Sequence, residues 1–410
     1  MADTRGQLSH ASHHLIQGWA QRGADGAPAR LEVFLDDVLY HGILADGPPV
    51  AEGGAPSFQL HLHLTLGPEP IAVSVRNAED GAELEGSPMV LAPLINQPSQ
   101  HYTETTGEWL DGRFGEGAWR DGIYVAHQPI YGFRKLPCEP NWQSRYRVTY
   151  QLLQDLNRLD FETLVDIGGA EGYTAALIRE TFGCQTMSCD VSGEACRRAQ
   201  QLFSLESRKV DIHALPFEDG AFDVVLSSET IEHVADCMRA IDELLRVARR
   251  AVVITVPHDS IDHVEGIIAA GEMHGHIHHF DVDSFDYLRA RGYQVLVRKI
   301  VSHAPEILWP GYLMECDPEI VPHIQDDRLR ELGTKRPWLA RLIYNRFRMA
   351  RILEDDSAAI KRWPEGGYLG VVAVILKDET CLRAAPRREV RMRDVFNFSV
   401  PHLRQDQEPA

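Results

Sequence analysis

Residues 164–172 read LVDIGGAEG, an apolar run that passes through an acid into three glycines and an alanine. The residues before the glycines have the pattern of a buried strand, and the following GYTAALIRETF has helical spacing. A glycine loop between a strand and a helix lets the backbone approach a ligand closely and supplies N–H groups at a helix N-terminus. A dinucleotide fingerprint would require G-x-G-x-x-G, which this loop lacks, so a nicotinamide cofactor is disfavoured.

Strands and helices alternate around this loop, as they do in a parallel sheet covered by helices on both faces. The predicted strands are TLVDIG, TMSCDV, RKVDIH, FDVVLSS, AVVITVP, YQVLVRKIV and a final GGYLGVVAVILKD. The predicted helices include GYTAALIRETF, DCMRAIDELLRVARR and SGEACRRAQQLF, the last with Ser192 as N-cap. The pattern predicts an α/β core with a helical insertion before its last strand.

The N-terminal part of the chain has a different hydrophobic period. In SFQLHLHLTL, the alternation places Phe58, Leu60, Leu62, Leu64 and Leu66 on one face of a strand. Similar short runs are separated by Gly, Pro and Asp clusters, which predicts an all-β sandwich. The arrangement GWA…LEVFLDDVLYHGILAD…IAVSVRN resembles a β-domain attached to bacterial glycosyltransferases of surface-polysaccharide pathways, and this resemblance implies a role connected with glycans.

These patterns divide the chain into six segments. They are a β-sandwich over 1–95, an aromatic and glycine-rich linker or lid over 96–144, an α/β core over 145–302, a helical insertion over 303–365, the last core strand over 366–380 and a C-terminal tail over 381–410. The segment 96–144 is open to two interpretations. Its aromatic residues either pack on the core or cover a pocket.

Composition and charge exclude several classes of function. The chain has 410 residues, of which 44% are hydrophobic and 25% charged, as in ordinary soluble proteins. Its formal net charge of -19 disfavours a nucleic-acid substrate. No apolar run reaches the roughly 18 residues of a membrane span, and the N-terminus lacks a signal-peptide core, so we expect a cytoplasmic location. Seven cysteines without CxxC pairs indicate reduced thiols.

The strand ends together resemble those of class I S-adenosylmethionine-dependent methyltransferases of the small-molecule type. Residues 166–172 are similar to the D-x-G-x-G-x-G loop, with alanine at the third fixed position. SCDVS, VDIHALPFEDGAFDVVLSS and SSETIEHV then follow in the order found in that family. The resemblance implies a Rossmann-like methyltransferase sheet and S-adenosyl-L-methionine as cofactor. It places cofactor-binding residues at Asp166, Gly168, Gly169, Ala170, Gly172, Asp190, Val191, Asp211, Ile212 and Ser228.

Histidines are dense after the fifth predicted strand, in VPHDSIDHVEG and EMHGHIHHFDVDSF. Methyl transfer to an alcohol needs a base, so His258, His276 and His279 are the candidate catalytic residues. For each of them a structural role, bonded to a loop carbonyl, is the competing interpretation. His258, Asp259, Asp262, His263 and Glu265 also supply metal-ligand atoms, but they lack a fixed ligand spacing and predict no metal site.

The sequence therefore predicts a methyltransferase that O-methylates a sugar or glycan precursor. Two alternatives stay open: methylation of a phenolic, quinone or lipid-like small molecule, and a catalytically silent scaffold of polysaccharide assembly. The β-sandwich is the expected surface for an oligomer or a protein partner.

Overall fold

The computed structural model describes residues 4–23, 26–50, 54–62, 68–93, 95, 97, 99–120, 123–124, 142–301, 327–343, 348, 350–351, 353–355, 368–398, 400–401 and 403. Predictions for Leu64, Leu66, most of the linker after residue 124 and much of the insertion lie outside these residues. The chain divides into two compact units. The first contains Met1–Thr103, Glu232–Arg239 and Ser260–His279, and the second contains Glu104–Ile231, Ala240–Asp259 and Phe280–Ala410.

Nine antiparallel strands in two sheets form most of the first unit. They are β1 (Thr4–Ala11), β2 (Leu15–Arg22), β3 (Ala27–Pro28), β4 (Arg30–Leu35), β5 (Val38–Leu44), β6 (Gly47–Pro49), β7 (Pro56–His61), β8 (Ile71–Asn77) and β9 (Met89–Leu91). One sheet has the order β1-β2-β7-β6 with β3 beside β2, and the other has the order β5-β4-β8-β9. Alternate residues of both sheets, including Ile16, Val33, Phe58 and Val75, share one buried core. The predicted N-terminal β architecture is therefore confirmed.

The remaining elements follow in chain order. They are α1 (Ser99–Phe114), β10 (Trp119–Arg120), β11 (Ile123–Tyr124), α2 (Trp142–Leu156), β12 (Thr163–Ile167), α3 (Tyr173–Phe182), β13 (Gln185–Asp190), α4 (Gly193–Phe203), β14 (Glu206–Lys209), β15 (Phe222–Ser228), α5 (Cys237–Val247), β16 (Ala248–Pro257), α6 (Ile261–Ala270), α7 (Asp286–Ala290), β17 (Gln294–Val301), α8 (Asp327–Lys335), α9 (Pro337–Ile343), β18 (Tyr368–Leu376) and α10 (Met392–Asn397). None of the described helices has the length and apolar character needed to span a bilayer.

A seven-stranded sheet organises the second unit. Its order is β14-β13-β12-β15-β16-β18-β17, and only β18 runs antiparallel to its neighbours. The chain leaves β12 toward β13 on one side and later returns to β15 on the other. The strand order therefore reverses at the carboxyl end of β12, where open α/β sheets bind ligands. The predicted α/β fold class is confirmed.

Tertiary pairing moves some predicted boundaries. The sequence predicts a helix that continues through RVARR, but α5 ends at Val247 and Ala248 begins β16. Ala248 pairs with Phe222 of β15, so the parallel ladder overrides the helical spacing there. Likewise β14 is formed by Glu206–Lys209, earlier than predicted, because Lys209 pairs with Asp190 at the end of β13.

Helix α1 lies where the sequence predicted a linker or lid. Its segment SQHYTETTGEWLDGRF contains two glycines and several threonines, which are weak helix formers. Its buried side chains nevertheless recur every four residues, at Tyr102, Thr106, Leu110 and Phe114. Packing of this stripe stabilises a helix that propensity alone does not predict.

Two short segments that interrupt the core sequence belong to the first unit. Tyr102, Ala235 and Ile277 form a small apolar cluster there. The Nε2 of His278 donates to the carbonyl of Val234, at 2.7 Å. The segments 232–239 and 260–279 are therefore joined to each other and to the N-terminal residues.

A group of histidines lies inside this first unit. His14 has only 1% of its surface exposed. Burial, and then repulsion from His278, His279, His13 and His61, lowers the pKa of His14 to about 3. The ring of His61 also stacks on that of His279, with 6.0 Å between centroids. His14 is therefore packed in its neutral form.

We expect acid to destabilise the first unit through His14. Because its folded-state pKa lies below the unfolded value of 6.5, its contribution is complete above pH 6.5 and is lost as the pH falls toward 3. Urea unfolding between pH 4.5 and 8 should show a slope of up to about 1.4 kcal/mol per pH unit from this group. His14→Asn should reduce that slope, whereas His10→Asn at an exposed position should keep it. An unchanged slope in His14→Asn would contradict the assignment.

Candidate cofactor and active site

The glycine loop after β12 has a backbone that few residues can adopt. Gly168 and Gly172 both have φ of 80°, and Ala170 has φ of 48°. A Cβ at Gly168 would lie 2.3 Å from the Thr230 side chain, and one at Gly172 would lie 2.6 Å from Leu205. Both positions therefore need glycine for conformation and for space.

Asp190, at the end of β13, holds this loop in place. One carboxylate oxygen accepts the backbone N–H of Ala170 and the other accepts that of Ser192, each at 2.9 Å. The side chain is buried, and burial raises the pKa of Asp190 to about 6 despite these two hydrogen bonds. Each oxygen keeps a further lone pair, so the carboxylate retains capacity to accept hydroxyl groups.

Asp166 lies beneath the loop, with 1% of its surface exposed. Burial, and then the nearby Asp190, raises the pKa of Asp166 to about 7. Among the described residues, nothing donates a hydrogen bond to its Oδ2. The carboxyl group borders a small cavity lined by Arg145, Val148, Thr149, Asp166, Gly168, Gly169, Thr174, Ser228 and Glu229.

The end of β15 supplies a polar edge to this cavity. The hydroxyls of Ser228 and Thr255 are 2.7 Å apart, and Thr255 donates to Glu229 Oε1 at 3.1 Å. Glu229 has φ of 54°, and its Oε2 lies 3.9 Å from the Arg145 guanidinium. Sequence reasoning identified Ser228 but missed Glu229 and Arg145. The position of Glu229 directly after a predicted strand end was the signal that could have found it.

Asp211 and Ile212 follow the next strand along the sheet edge. The backbone N–H of Val210 donates to the Asp190 carbonyl at 2.9 Å, which sets the two strand ends side by side. Asp211 Oδ1 contacts the backbone N–H and the Nδ1 of His213, at 2.9 and 2.7 Å. Its side chain is 44% exposed.

Helix α1 covers the other side of the loop. Leu110 and Phe114 pack with Ala170 and Ala195, and Val191 lies against this cluster. Asp111 Oδ1 accepts from the Ser192 hydroxyl at 2.5 Å and from the Glu194 N–H at 3.0 Å, at the start of α4. The methyl group of Ala170 therefore has apolar neighbours where a glycine would leave a gap.

The three candidate bases have different surroundings. In the second unit, His258 Nδ1 contacts the Phe280 carbonyl at 2.8 Å, and the ring stacks on Tyr368 at 4.2 Å. In the first unit, His276 lies beside His233, with 4.8 Å between ring centroids. His279 instead belongs to the buried group around His14.

Comparison with known proteins agrees with this arrangement. Residues 165–255 match the methyltransferase domain family. These residues have the fold of a methyltransferase domain. Tocopherol O-methyltransferase of Arabidopsis thaliana is 26% identical over 179 residues, which cover 40% of this chain and 50% of the relative. Norajmaline N-methyltransferase of Rauvolfia serpentina is 33% identical over 102 residues, which cover 23% of this chain and 35% of the relative.

Among solved structures, geranyl diphosphate C-methyltransferase from Streptomyces coelicolor matches with a TM-score of 0.37 and 15% identity. That match covers 67% of this chain and 97% of the other. The chain spans half or less of the length of the first two curated relatives. The matched residues 165–255 contain the glycine loop, Asp190, Asp211 and Ser228. The cavity next to Asp166 is where the fit of a cofactor can be judged.

The residues present fit S-adenosylmethionine. Asp166 offers a buried carboxylate oxygen that a cationic ammonium group can neutralise. Gly168 and Gly169 present bare backbone beside it, and Asp190 can accept a ribose diol. The assignment of individual cofactor contacts remains a prediction.

Replacing Gly172 by alanine tests how strictly the loop needs glycine. Left-handed backbone costs a non-glycine residue about 1–2 kcal/mol, and the contacts with Leu205 and Ala199 add steric strain. Gly183→Ala is the matched control, because Gly183 also has positive φ but its Cβ would meet open space. We expect Gly172→Ala to lower the urea unfolding midpoint clearly more than Gly183→Ala. Equal midpoints would show that the close packing at Gly172 is unimportant.

Proposed function

We propose that this protein is an S-adenosylmethionine-dependent methyltransferase that acts on a small-molecule acceptor. The observation that carries the proposal is the buried Asp166 oxygen beside the glycine loop, in a cavity at the switch point of a methyltransferase fold. The resemblance of the strand ends and the names of the relatives support the same activity.

Each part of the proposed site has a defined task. Asp166 would hold the ammonium group of the methionine half, and the loop backbone would contact its carboxylate. Asp190 would bind the ribose hydroxyls, and Asp211 with the Ile212 N–H would bind the adenine. When bound, S-adenosylmethionine supplies a methyl group activated on a sulfonium. The protein's contribution is to position the acceptor and to remove its proton.

His258 is the strongest of the three candidate bases. Its Nδ1 contacts a backbone carbonyl, which can only accept, so Nδ1 carries the proton and Nε2 is the basic nitrogen. Stacking on Tyr368 fixes the ring, and its backbone N–H donates to the Leu369 carbonyl at 2.8 Å. A base held in one tautomer and orientation suits proton removal from an alcohol.

Two separate observations support different classes of acceptor. The resemblance of the N-terminal β-domain supports O-methylation of a sugar or glycan precursor. A cytoplasmic enzyme would methylate this precursor before the glycan is exported. A second candidate is a phenolic or hydroquinone acceptor, which the names of tocopherol O-methyltransferase and 2-methyl-6-phytyl-1,4-hydroquinone methyltransferase favour. The β-sandwich would serve as the contact surface for an oligomer, a partner or a glycan. A silent scaffold would bind the cofactor without turnover.

Asp166→Asn tests the cofactor site. The variant keeps the side-chain shape and removes a desolvated charge, so the cofactor-free protein should keep or raise its melting temperature. Loss of a charge-assisted hydrogen bond, worth roughly 1.5–3 kcal/mol, should weaken binding of S-adenosylhomocysteine about 10- to 100-fold in calorimetry. Because the pKa of Asp166 is about 7, wild-type affinity should also fall below that pH, and the variant's should not.

Asp262→Asn, at an exposed position, should bind as the wild type does. Binding of NADH without binding of S-adenosylhomocysteine would refute the proposed function.

His258→Ala tests the base and the acceptor class together. With a sugar alcohol acceptor, kcat should fall roughly 10²- to 10⁴-fold, because proton removal is lost, while cofactor affinity stays unchanged. His263→Ala, also exposed, is the control. Turnover of a phenolic acceptor that tolerates His258→Ala would favour the second candidate, and absence of turnover with every acceptor would favour the scaffold.

A further inference from the structure

A cluster of three side chains in the first unit has the composition of a metal site. Glu232, His233 and His276 each offer a ligand atom, and these atoms all lie within 4.8 Å of one another. Glu232 has 1% of its surface exposed and the His233 side chain 13%. A buried carboxylate therefore meets two partly buried imidazoles.

The hydrogen bond of His233 determines which ring nitrogen can act as a metal ligand. Its Nδ1 contacts the carbonyl of Gly275 at 3.0 Å and must donate there, because a carbonyl oxygen only accepts. The neutral ring then carries its lone pair on Nε2, which lies 3.6 Å from Glu232 Oε1. A backbone carbonyl that fixes the tautomer in this way is a regular feature around metal-binding histidines.

The backbone holds the two parts of the cluster together. The N–H of Ile277, next to His276, donates to the Glu232 carbonyl at 2.8 Å. Gly275 packs so closely on α6 that a Cβ there would lie 2.2 Å from Ile267. The loop that carries His276 is thereby fixed against the short helical turn Ile231–His233 that carries the other two residues.

We propose that Glu232, His233 and His276 bind a divalent transition-metal ion. Ligand atoms that each lie about 2.1 Å from a tetrahedral ion are about 3.4 Å from one another. The 3.6 Å between Glu232 Oε1 and His233 Nε2 is therefore already suitable for binding an ion. The cation also offsets the cost of burying the Glu232 carboxylate. Two imidazoles favour Zn²⁺, Mn²⁺ or Fe²⁺ over Mg²⁺, and three protein ligands leave a position open for an oxygen ligand.

This assignment changes the role of His276. An imidazole nitrogen bound to a cation cannot take a proton from an acceptor, so His276 serves as a ligand and not as a general base. The inference concerns cation binding itself and does not depend on methyl transfer.

Calorimetry with the full chain, dialysed against EDTA, tests the proposal with ZnCl₂, MnCl₂ and MgCl₂ as probes. The wild type should bind Zn²⁺ and Mn²⁺ more tightly than Mg²⁺. Glu232→Gln and His276→Ala should each abolish tight binding of one metal ion or weaken it at least about 100-fold. Even the loss of a residue that only hydrogen-bonds to a metal ligand lowers metal affinity about 10- to 100-fold. His263→Ala, in the same unit, should bind as the wild type does.

A melting curve measures metal binding independently of calorimetry, through the stabilisation of the folded protein. MnCl₂ should raise the melting temperature of the wild type and of His263→Ala but not of Glu232→Gln, whose fold is checked by circular dichroism. Tighter binding of Mg²⁺ than of Zn²⁺, wild-type binding by both cluster variants, or loss of binding in His263→Ala would overturn the assignment.

Discussion

The buried carboxylate of Asp190 connects the elements on which the candidate site depends. It receives the N–H of Ala170 from the glycine loop and the N–H of Ser192 from the start of α4. Ser192 in turn caps α4 and contacts Asp111 of α1. The N–H groups of Ala170 and Ser192 would be costly to bury without acceptors. The Asp190 side chain therefore stabilises the glycine loop and the start of α4 together, and through Ser192 it is connected to α1.

This arrangement has an electrostatic cost that a cofactor can relieve. Asp166 and Asp190 are both buried, which raises the pKa of each carboxyl group, and the nearby Asp190 raises the pKa of Asp166 further. Asp190 is compensated by backbone N–H groups, whereas Asp166 keeps an oxygen without a donor among the described residues. A site that binds a cationic group gains affinity from such a carboxylate, because binding removes a penalty already present in the folded protein.

The histidines of the chain are divided between different tasks. His258 has a fixed tautomer in the second unit, while His14, His61, His278 and His279 lie close together in the first, where burial keeps His14 neutral. Segments inserted in the core sequence thus contribute packing and polar chemistry to the unit that also contains the N-terminal strands.

The sequence by itself determined the order of strands and helices, the glycine loop and the acids at the strand ends. These features depend on local periodicity and on residue types with few alternatives, such as glycine at positive φ in Gly168 and Gly172. It did not reveal α1, whose weak helix formers are stabilised by Leu110 and Phe114 packing on distant residues. Nor could it separate the histidines, since EMHGHIHHF places His276 and His279 three positions apart without showing their partners. Only the tertiary structure set His276 beside Glu232 and His279 beside His61, because such contacts join residues far apart in the chain.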